Sequence, residues 1–290
     1  MSKIKQIFVV GSSRSGTTMM GRILANHNDV FTFNELHFFG SIWSGQYSKN
    51  FTKKEQINLL SRLLCIQHHG LFNQKYISSF YDLSISLLKA NNFNEMEVYA
   101  LFLKTITAQN NSNISCEQTP KNIYYLDEIL SHFPDARVIN LVRDQRDVLL
   151  SQKNKWKRKF LGASAIPISE TIRAYINYHP ILTSKIWNSS LSQTIKYKHN
   201  SRVKIIKYEE LILNPENTIS SVCNFLNINF HKEMLSVPNI GSSNQSDSKL
   251  KLSIDSSNIN KWKAGGVSDS EVYLSQKVSV KMLEEFDYPL

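Results

Sequence analysis

The chain contains the stretch Ile7-Phe-Val-Val10, then Gly11-Ser-Ser-Arg14-Ser-Gly16-Thr17-Thr18, then Met19-Met-Gly-Arg-Ile-Leu24. An apolar run, a glycine-bounded polar turn and a helix-compatible segment in this order predict a strand, a phosphate-binding loop and a helix. The two glycines permit a tight turn and let backbone N–H groups approach an anion. The positive N-terminal end of the helix points to the same place, and the two threonines add hydroxyl donors. This stretch therefore predicts an anion site.

The loop has the spacing of the nucleotide-binding pattern G-x-x-x-x-G-K-[ST], but Thr17 stands where that pattern has lysine. The cation enters earlier, as Arg14. A Walker loop uses its lysine on the β- and γ-phosphates and its hydroxyl residue on Mg²⁺. We therefore expect little metal-assisted ATP hydrolysis and predict no metal site. A generic glycine turn is the simpler alternative.

Length and composition favour a single domain over residues 1–290, and the strand, loop and helix pattern at its start favours the α/β class. The chain has 290 residues, of which 41% are hydrophobic and 20% charged, enough to bury one sizeable core. The predicted architecture is a P-loop-like three-layer fold with a mostly parallel central sheet flanked by helices. Residues from about 43 to 110 show helical spacing of apolar residues and are predicted to form an inserted helical cap.

The net charge of +10 suits a polyanionic ligand or an acidic surface. No aromatic-interleaved basic motif or zinc spacing accompanies it, so we predict no nucleic-acid partner. The cysteines, Cys65, Cys116 and Cys223, are few and odd in number, which favours buried thiols in a reducing compartment. We find no apolar stretch of secretory or membrane-spanning length and expect a cytoplasmic protein without a transmembrane segment.

A second anion site is predicted after the strand Arg137–Val142. Asp144 can cap the helix that begins there, Arg143 lies at the end of the strand, and Ser151 follows about two turns along that helix. An arginine fork and a neutral hydroxyl could together bracket a phosphate. A solvated network of Arg and Asp side chains is the alternative. The basic run from Lys153 to Lys159 is most simply the solvated end of the same helix.

Other predicted strands also end in polar residues. The strand Val30–Phe33 precedes Glu35, the best general-base candidate, and His37, the alternative base. The strand Val203–Ile206 precedes Tyr208, which we expect to contact the nucleotide. We expect Thr119, after the strand Ile114–Cys116, to cap a helix over Lys121–Ser131.

The last part of the chain has three predicted features. Residues Pro238–Asn260 are rich in Ser, Asn, Asp and Lys and are expected to form a mobile loop. Lys261 and Trp262 follow this loop. A final helix over about Ser268–Phe286 is predicted to pack on the domain through Val272, Leu274, Val278 and Leu283.

Taken in chain order, these motifs resemble the sulfotransferases that use 3′-phosphoadenosine 5′-phosphosulfate (PAPS) as co-substrate. The stretch from Arg14 to Glu35 is most similar to protein-tyrosine sulfotransferases and their bacterial relatives, in which the matching glutamate deprotonates the acceptor. The resemblance implies transfer of a sulfuryl group to an acceptor hydroxyl. Relatives usually carry a lysine at the position of Gln118, which helps to stabilise the transferring group.

The resemblance also implies the roles of the site residues. The catalytic group comprises Glu35, Arg14, His37 and Gln118. The 5′-phosphosulfate would be held by the loop residues Ser13, Arg14, Ser15, Gly16, Thr17 and Thr18. The 3′-phosphate would be held by Arg143 and Ser151. The remaining expected nucleotide-binding residues are Tyr208, Lys261 and Trp262.

Two other functional hypotheses stay open at this point. A P-loop-like nucleotide kinase or phosphotransferase shares the loop spacing, although the missing lysine counts against it. A catalytically weak nucleotide-binding protein would be consistent with Gln118. The acceptor is equally open: a peptide tyrosine, a glycan, a lipid and a small metabolite all carry suitable hydroxyls, and the sequence gives no oligomeric state.

Overall fold

A computed structural model describes residues 5–43, 45–47, 51–161, 163–237 and 259–290. The loop predicted over Pro238–Asn260 falls outside these residues, apart from its last two. The strands are β1 (Gln6–Gly11), β2 (Val30–Thr32), β3 (Ile114–Glu117), β4 (Arg137–Val142) and β5 (Val203–Lys207). The α-helices are α1 (Thr17–Ala25), α2 (Lys53–His69), α3 (Tyr81–Leu88), α4 (Glu95–Gln109), α5 (Leu126–His132), α6 (Gln145–Lys153), α7 (Ile168–Ile176), α8 (Pro180–Lys196), α9 (Tyr208–Leu213), α10 (Pro215–Leu226) and α11 (Asp269–Glu285).

The described strands form one parallel sheet in the order β2-β3-β1-β4-β5. Strand β1 lies at the centre of the sheet. Its neighbours are β3 on one side and β4 on the other, so the strand order changes direction at β1. In an open parallel sheet, the crevice at such a switch point lies at the carboxyl ends of the strands and is where ligands bind. The loop Gly11–Gly16 leaves β1 at this end.

Two layers of helices cover the sheet, as the alternation of side chains along β1 requires. Ile7 and Val9 join the buried cluster that includes α1 and α10. Phe8 and Val10 join the opposite cluster, which includes α2, α4 and α5. The predicted three-layer α/β fold is therefore confirmed. Helices from the 43–110 region share this second cluster, and their proposed action as a cap stays a prediction.

Local details differ from the sequence predictions in three places. Thr119 makes no side-chain cap hydrogen bond, because its hydroxyl bonds Glu117, and the next residues form a 3₁₀ helix over Pro120–Tyr125 before α5. In α11, Leu274 is exposed, whereas Leu283 is buried as expected. The basic run after α6 is not the end of that helix but a separate 3₁₀ segment, Lys155–Leu161. None of the helices in the described ranges combines the length and apolar character needed to cross a bilayer.

Candidate active site

The loop between β1 and α1 has the backbone that its glycines predicted. Gly16 is the N-cap residue of α1, with φ 95° and ψ 12°, and no side chain caps the helix. The first N–H groups of a helix have no partner within the helix, so they are available to an anion at this end. Arg14 also has a positive φ of 74°, a conformation that costs a non-glycine residue about 1 kcal/mol or more.

Arg14 brings the two predicted anion sites together. Its Nε donates a hydrogen bond of 2.8 Å to Oγ of Ser151 on α6. In return, Nη1 of Arg143, at the end of β4, donates to the backbone carbonyl of Arg14 at 3.1 Å. The loop after β1 and the β4–α6 junction, 129 residues apart in the chain, therefore form one continuous cationic site.

Positive charge is crowded at this site. Burial, followed by the charges of Arg158 and Arg143, lowers the pKa of Arg14 to about 10. Arg14 therefore stays charged at neutral pH. The charged form of Arg14 is less stable here than it would be in water. A bound anion would offset this loss of stability.

Tyr208 supports both halves of the cationic site. The guanidinium of Arg143 lies 4.3 Å from the centre of its ring. On Gly16, a Cβ atom would come within 2.5 Å of Cδ2 of the same ring. Glycine is therefore required at position 16 for contact with Tyr208 as well as for its backbone angles. Tyr208, predicted as a nucleotide contact, is buried against these two residues.

The backbone around Arg143 is fixed by neighbours on several elements. The indole of Trp187 on α8 donates to the backbone carbonyl of Arg143 at 3.0 Å. Nη2 of Arg143 lies 3.9 Å from Oδ2 of Asp147. Asp144 caps α6 by accepting from the backbone N–H of Arg146 at 2.8 Å, as predicted. Glu209 accepts from the backbone N–H of Asp144 at 2.9 Å. These bonds fix the direction of the arginine fork.

Glu35 lies next to His37 after β2. Its Oε2 is 3.4 Å from Nε2 of His37, and its side chain keeps 40% of its exposure. Burial acts to raise the pKa of Glu35, but His37, Arg158 and Arg14 outweigh it and leave the pKa below its ordinary value. Glu35 is thus ionised at neutral pH and close enough to Arg14 to respond to its charge.

The segment that carries Glu35 is held by two residues to which the sequence analysis gave no such role. Buried Glu117 accepts from the backbone N–H of Leu36 at 3.3 Å, and Oγ1 of Thr119 accepts from the backbone N–H of His37 at 3.2 Å. Burial raises the pKa of Glu117 to about 7. The polar pattern Glu-x-Thr at the end of a strand was the available signal, but its partners Leu36 and His37 lie 81 and 82 residues earlier in the chain.

Comparison with known proteins gives the family. The model of the sulfotransferase family matches residues 6–232, which is most of the chain. The chain belongs to the sulfotransferase family. A Caenorhabditis briggsae relative named "Putative protein-tyrosine sulfotransferase" is 24% identical over 233 residues, 79% of this chain and 68% of the relative. An uncharacterised Aquifex aeolicus protein is 28% identical over 147 residues, 51% of this chain but only 16% of that protein.

Two solved sulfotransferase domains share the fold. The domain from the curacin biosynthetic pathway aligns over 100% of both chains with a TM-score of 0.60 and 19% identity. The domain from the Synechococcus PCC 7002 olefin synthase aligns over 100% of this chain and 97% of its own, with a TM-score of 0.58 and 17% identity. At these identities the likeness is one of fold.

Within this sulfotransferase, Gln118 has partners of its own. Its Nε2 donates to the carbonyl of Phe33 at 3.2 Å, and a Cβ on Gly21 would lie 2.4 Å from its Oε1. The side chain is buried between β2 and α1. Its amide donor is therefore engaged within the protein.

Cations from the 3₁₀ segment Lys155–Leu161 act on Glu35 instead. Arg158 contributes the largest charge effect on the pKa of Arg14, and it also lowers the pKa of Glu35. Its Nε is buried without a hydrogen-bond partner among the residues that the structure describes. Burial and then the charge of Arg14 lower the pKa of Lys155. The sequence analysis assigned this basic run to a solvated helix end.

The other expected nucleotide-binding residues fall around the same helix ends. Asp147 on α6 accepts from the backbone N–H groups of Asn260 at 2.8 Å and Trp262 at 3.1 Å, which places Lys261 and Trp262 beside α6. The guanidinium of Arg146 lies 4.5 Å from the Trp262 ring. Of the loop residues, Ser15 and Thr17 are buried, Ser13 is partly exposed and Thr18 is exposed.

Proposed function

We propose that this protein transfers a sulfuryl group from PAPS to an acceptor hydroxyl, with Glu35 as the general base. The observation that carries the proposal is the contact of Arg14 with both Ser151 and Arg143 in a site whose charge also acts on Glu35. A donor with phosphates at two ends requires two cationic positions in one site. The donor, the base and the acceptor are all parts of the proposal.

The residues present fit this donor. Arg14, the N-terminus of α1 and the hydroxyls of Thr17 and Thr18 would hold the 5′-phosphosulfate. Arg143 and Ser151 would hold the 3′-phosphate. When bound, the donor supplies an activated sulfuryl group with a phosphate leaving group.

The chemical step is an in-line displacement. Glu35 takes the proton of the acceptor hydroxyl while the acceptor oxygen forms a bond to sulfur. The bond between sulfur and the bridging oxygen breaks, and its electron pair leaves with the 5′-phosphate. Arg14 and Arg158 stabilise the negative charge that grows there. The products are a sulfate ester and adenosine 3′,5′-bisphosphate, and Glu35 releases its proton to solvent.

Arg158 offsets the absence of a lysine at position 118 in this proposal. The amide of Gln118 donates to the carbonyl of Phe33, and it brings no charge to the sulfuryl group. Arg158 lies close enough to both Arg14 and Glu35 to shift their pKa values. This favours an active enzyme over a catalytically weak nucleotide-binding protein.

The test is Glu35→Gln, assayed for sulfate transfer from PAPS to a panel of phenolic, glycan and lipid hydroxyls. We expect turnover to fall by about a hundredfold or more, because a positioned base contributes this much. Affinity for adenosine 3′,5′-bisphosphate should stay unchanged, since Glu35 does not touch it. His37→Gln serves as the matched variant and should retain more turnover. Unchanged turnover in Glu35→Gln would remove Glu35 from the role, and ATP turnover in place of PAPS turnover would favour a kinase.

A further inference from the structure

Helix α7 carries its apolar side chains on the outside. Its one buried residue is Thr171, whereas four large apolar residues point to solvent. Their exposures are 61% for Ile168, 53% for Ile172, 66% for Tyr175 and 70% for Ile176. A helix that packs on a core has the opposite arrangement, so this face is built for something other than this domain's own core.

These four residues form one continuous surface. Their spacing of four, three and one residues places them within about a third of the helix circumference. Aromatic contacts extend the surface beyond α7: the Trp156 ring lies 5.8 Å from Tyr175 and 6.3 Å from Phe160, which is 64% exposed. We call this set, Trp156, Phe160, Ile168, Ile172, Tyr175 and Ile176, the α7 face.

Basic residues border the α7 face on one side. The run from Lys153 to Lys159 has five Lys or Arg among seven residues and no acidic residue. Lys157 in this run is exposed, and its Nζ lies 5.6 Å from the Trp156 ring. On α7 itself the single acidic residue, Glu170, is paired with Arg173 at 3.3 Å.

We propose that the α7 face is a docking surface for an anionic lipid membrane. Apolar and aromatic side chains beside a lysine-rich border match the two requirements of interfacial binding, namely apolar insertion and attraction to acidic headgroups. A second copy of this chain is a poor occupant, because it would set two like-charged borders against each other in a protein of net charge +10.

The face adjoins the candidate active site. The 3₁₀ segment that carries Trp156 and Phe160 also carries Arg158, whose charge acts on Glu35. A docked membrane would therefore lie beside the base, and a hydroxyl on a lipid would be the acceptor it presents. This last step rests on the proposed function, whereas the docking surface itself does not.

The experiment is vesicle co-sedimentation of the full chain without donor, comparing phosphatidylglycerol–phosphatidylcholine vesicles with pure phosphatidylcholine. We expect binding to the acidic vesicles that weakens as salt rises. The double variant Ile172→Ser with Ile176→Ser should bind about tenfold more weakly, since two exposed isoleucines that would insert into the membrane are lost. Serine and isoleucine have similar helix propensities, so α7 should persist, which circular dichroism can check.

Leu213→Ser is the matched control, because Leu213 on α9 is 64% exposed and outside the α7 face. It should bind like the unchanged protein. Absence of binding to acidic vesicles would overturn the proposal, as would equal loss in the control and the double variant. A dimer that the double variant dissociates, without vesicle binding, would assign the face to a second copy instead. Vesicle binding with no sulfation of any lipid hydroxyl would leave the docking surface in place and contradict only the lipid acceptor.

Discussion

At the scale of single residues, the candidate site is a cluster of cations around one carboxylate. Burial, and then the charges of Arg158 and Arg143, lower the pKa of Arg14 to about 10. His37, Arg158 and Arg14 outweigh the effect of burial and lower the pKa of Glu35, so Glu35 is ionised at neutral pH. A bound anion that neutralises Arg14 would raise the pKa of Glu35 toward the range in which a proposed general base is most effective.

Replacing Arg158 should move the pH dependence of the reaction. Arg158 lowers the pKa of Glu35, so Arg158→Gln should raise that pKa and shift the acidic limb of the kcat/KM profile to higher pH. Turnover at the optimum should also fall by about tenfold or more, because a cation near the leaving group is lost.

The matched variant for this measurement is Arg173→Gln. Arg173 is an exposed arginine on α7 paired with Glu170. Its profile should coincide with that of the unchanged protein. An unshifted acidic limb in Arg158→Gln would show that Arg158 does not act on the base.

At the scale of elements, the junction of β1 and α1 depends on a glycine for two reasons. Gly16→Ala would place a side chain at φ 95° and push a Cβ into the ring of Tyr208. We expect a loss of about 2–3 kcal/mol in the free energy of unfolding. Affinity for adenosine 3′,5′-bisphosphate should fall as well, because Tyr208 also contacts Arg143.

Gly70→Ala separates the effect of backbone strain from the effect of the clash with Tyr208. Gly70 has φ 79° at the end of α2, with nothing within 4 Å of its Cβ position. This variant should lose stability through backbone strain alone and keep its affinity for the nucleotide. Calorimetric titration measures the affinities and chemical denaturation the stabilities. Equal affinities in the two variants would contradict the role given to the Tyr208 contact.

The elements themselves were largely predictable, because their signals are local. The apolar run of β1, the glycines that follow it and Pro215 at the start of α10 each act within a few residues. Thr119 shows where local reasoning fails. Its position favours a helix cap, but a buried carboxylate two residues earlier takes its hydroxyl instead. A side chain with two possible partners is decided by burial, which a local pattern does not contain.

The residues of the site were predictable to the extent that they lie at strand ends. Parallel strands bring their carboxyl ends together, so Arg14, Glu35, Arg143 and Tyr208 could be grouped before any coordinates. Arg158 could not be assigned to this group from the sequence, because it lies in a segment whose path depends on where α6 ends. The catalytic role expected for Gln118 stays a prediction, and its hydrogen bond to Phe33, the residue after β2, joins positions that are 85 residues apart in the chain.

At the scale of the whole molecule, stability and ligand binding should be linked. A ligand that binds only the folded protein stabilises it, so adenosine 3′,5′-bisphosphate at a hundred times its Kd should add about 2.7 kcal/mol to the free energy of unfolding. Thermal denaturation measures this as a rise in Tm. Arg143→Gln should reduce the rise at a fixed ligand concentration, because the affinity falls. An equal rise from adenosine 5′-monophosphate would contradict a separate position for the 3′-phosphate.

The ring of Tyr208 has a further consequence, because it touches Gly16 on one anion position and Arg143 on the other. Because one rigid ring contacts both residues, neither Gly16 nor Arg143 can shift toward it without displacing the ring and, through it, the other residue. The distance between these two residues therefore depends on the placement of a single aromatic side chain. In the proposed function, this spacing favours a ligand whose two negative groups lie a matching distance apart. A ligand that carries the same charge in one linear row of phosphates would fit less well.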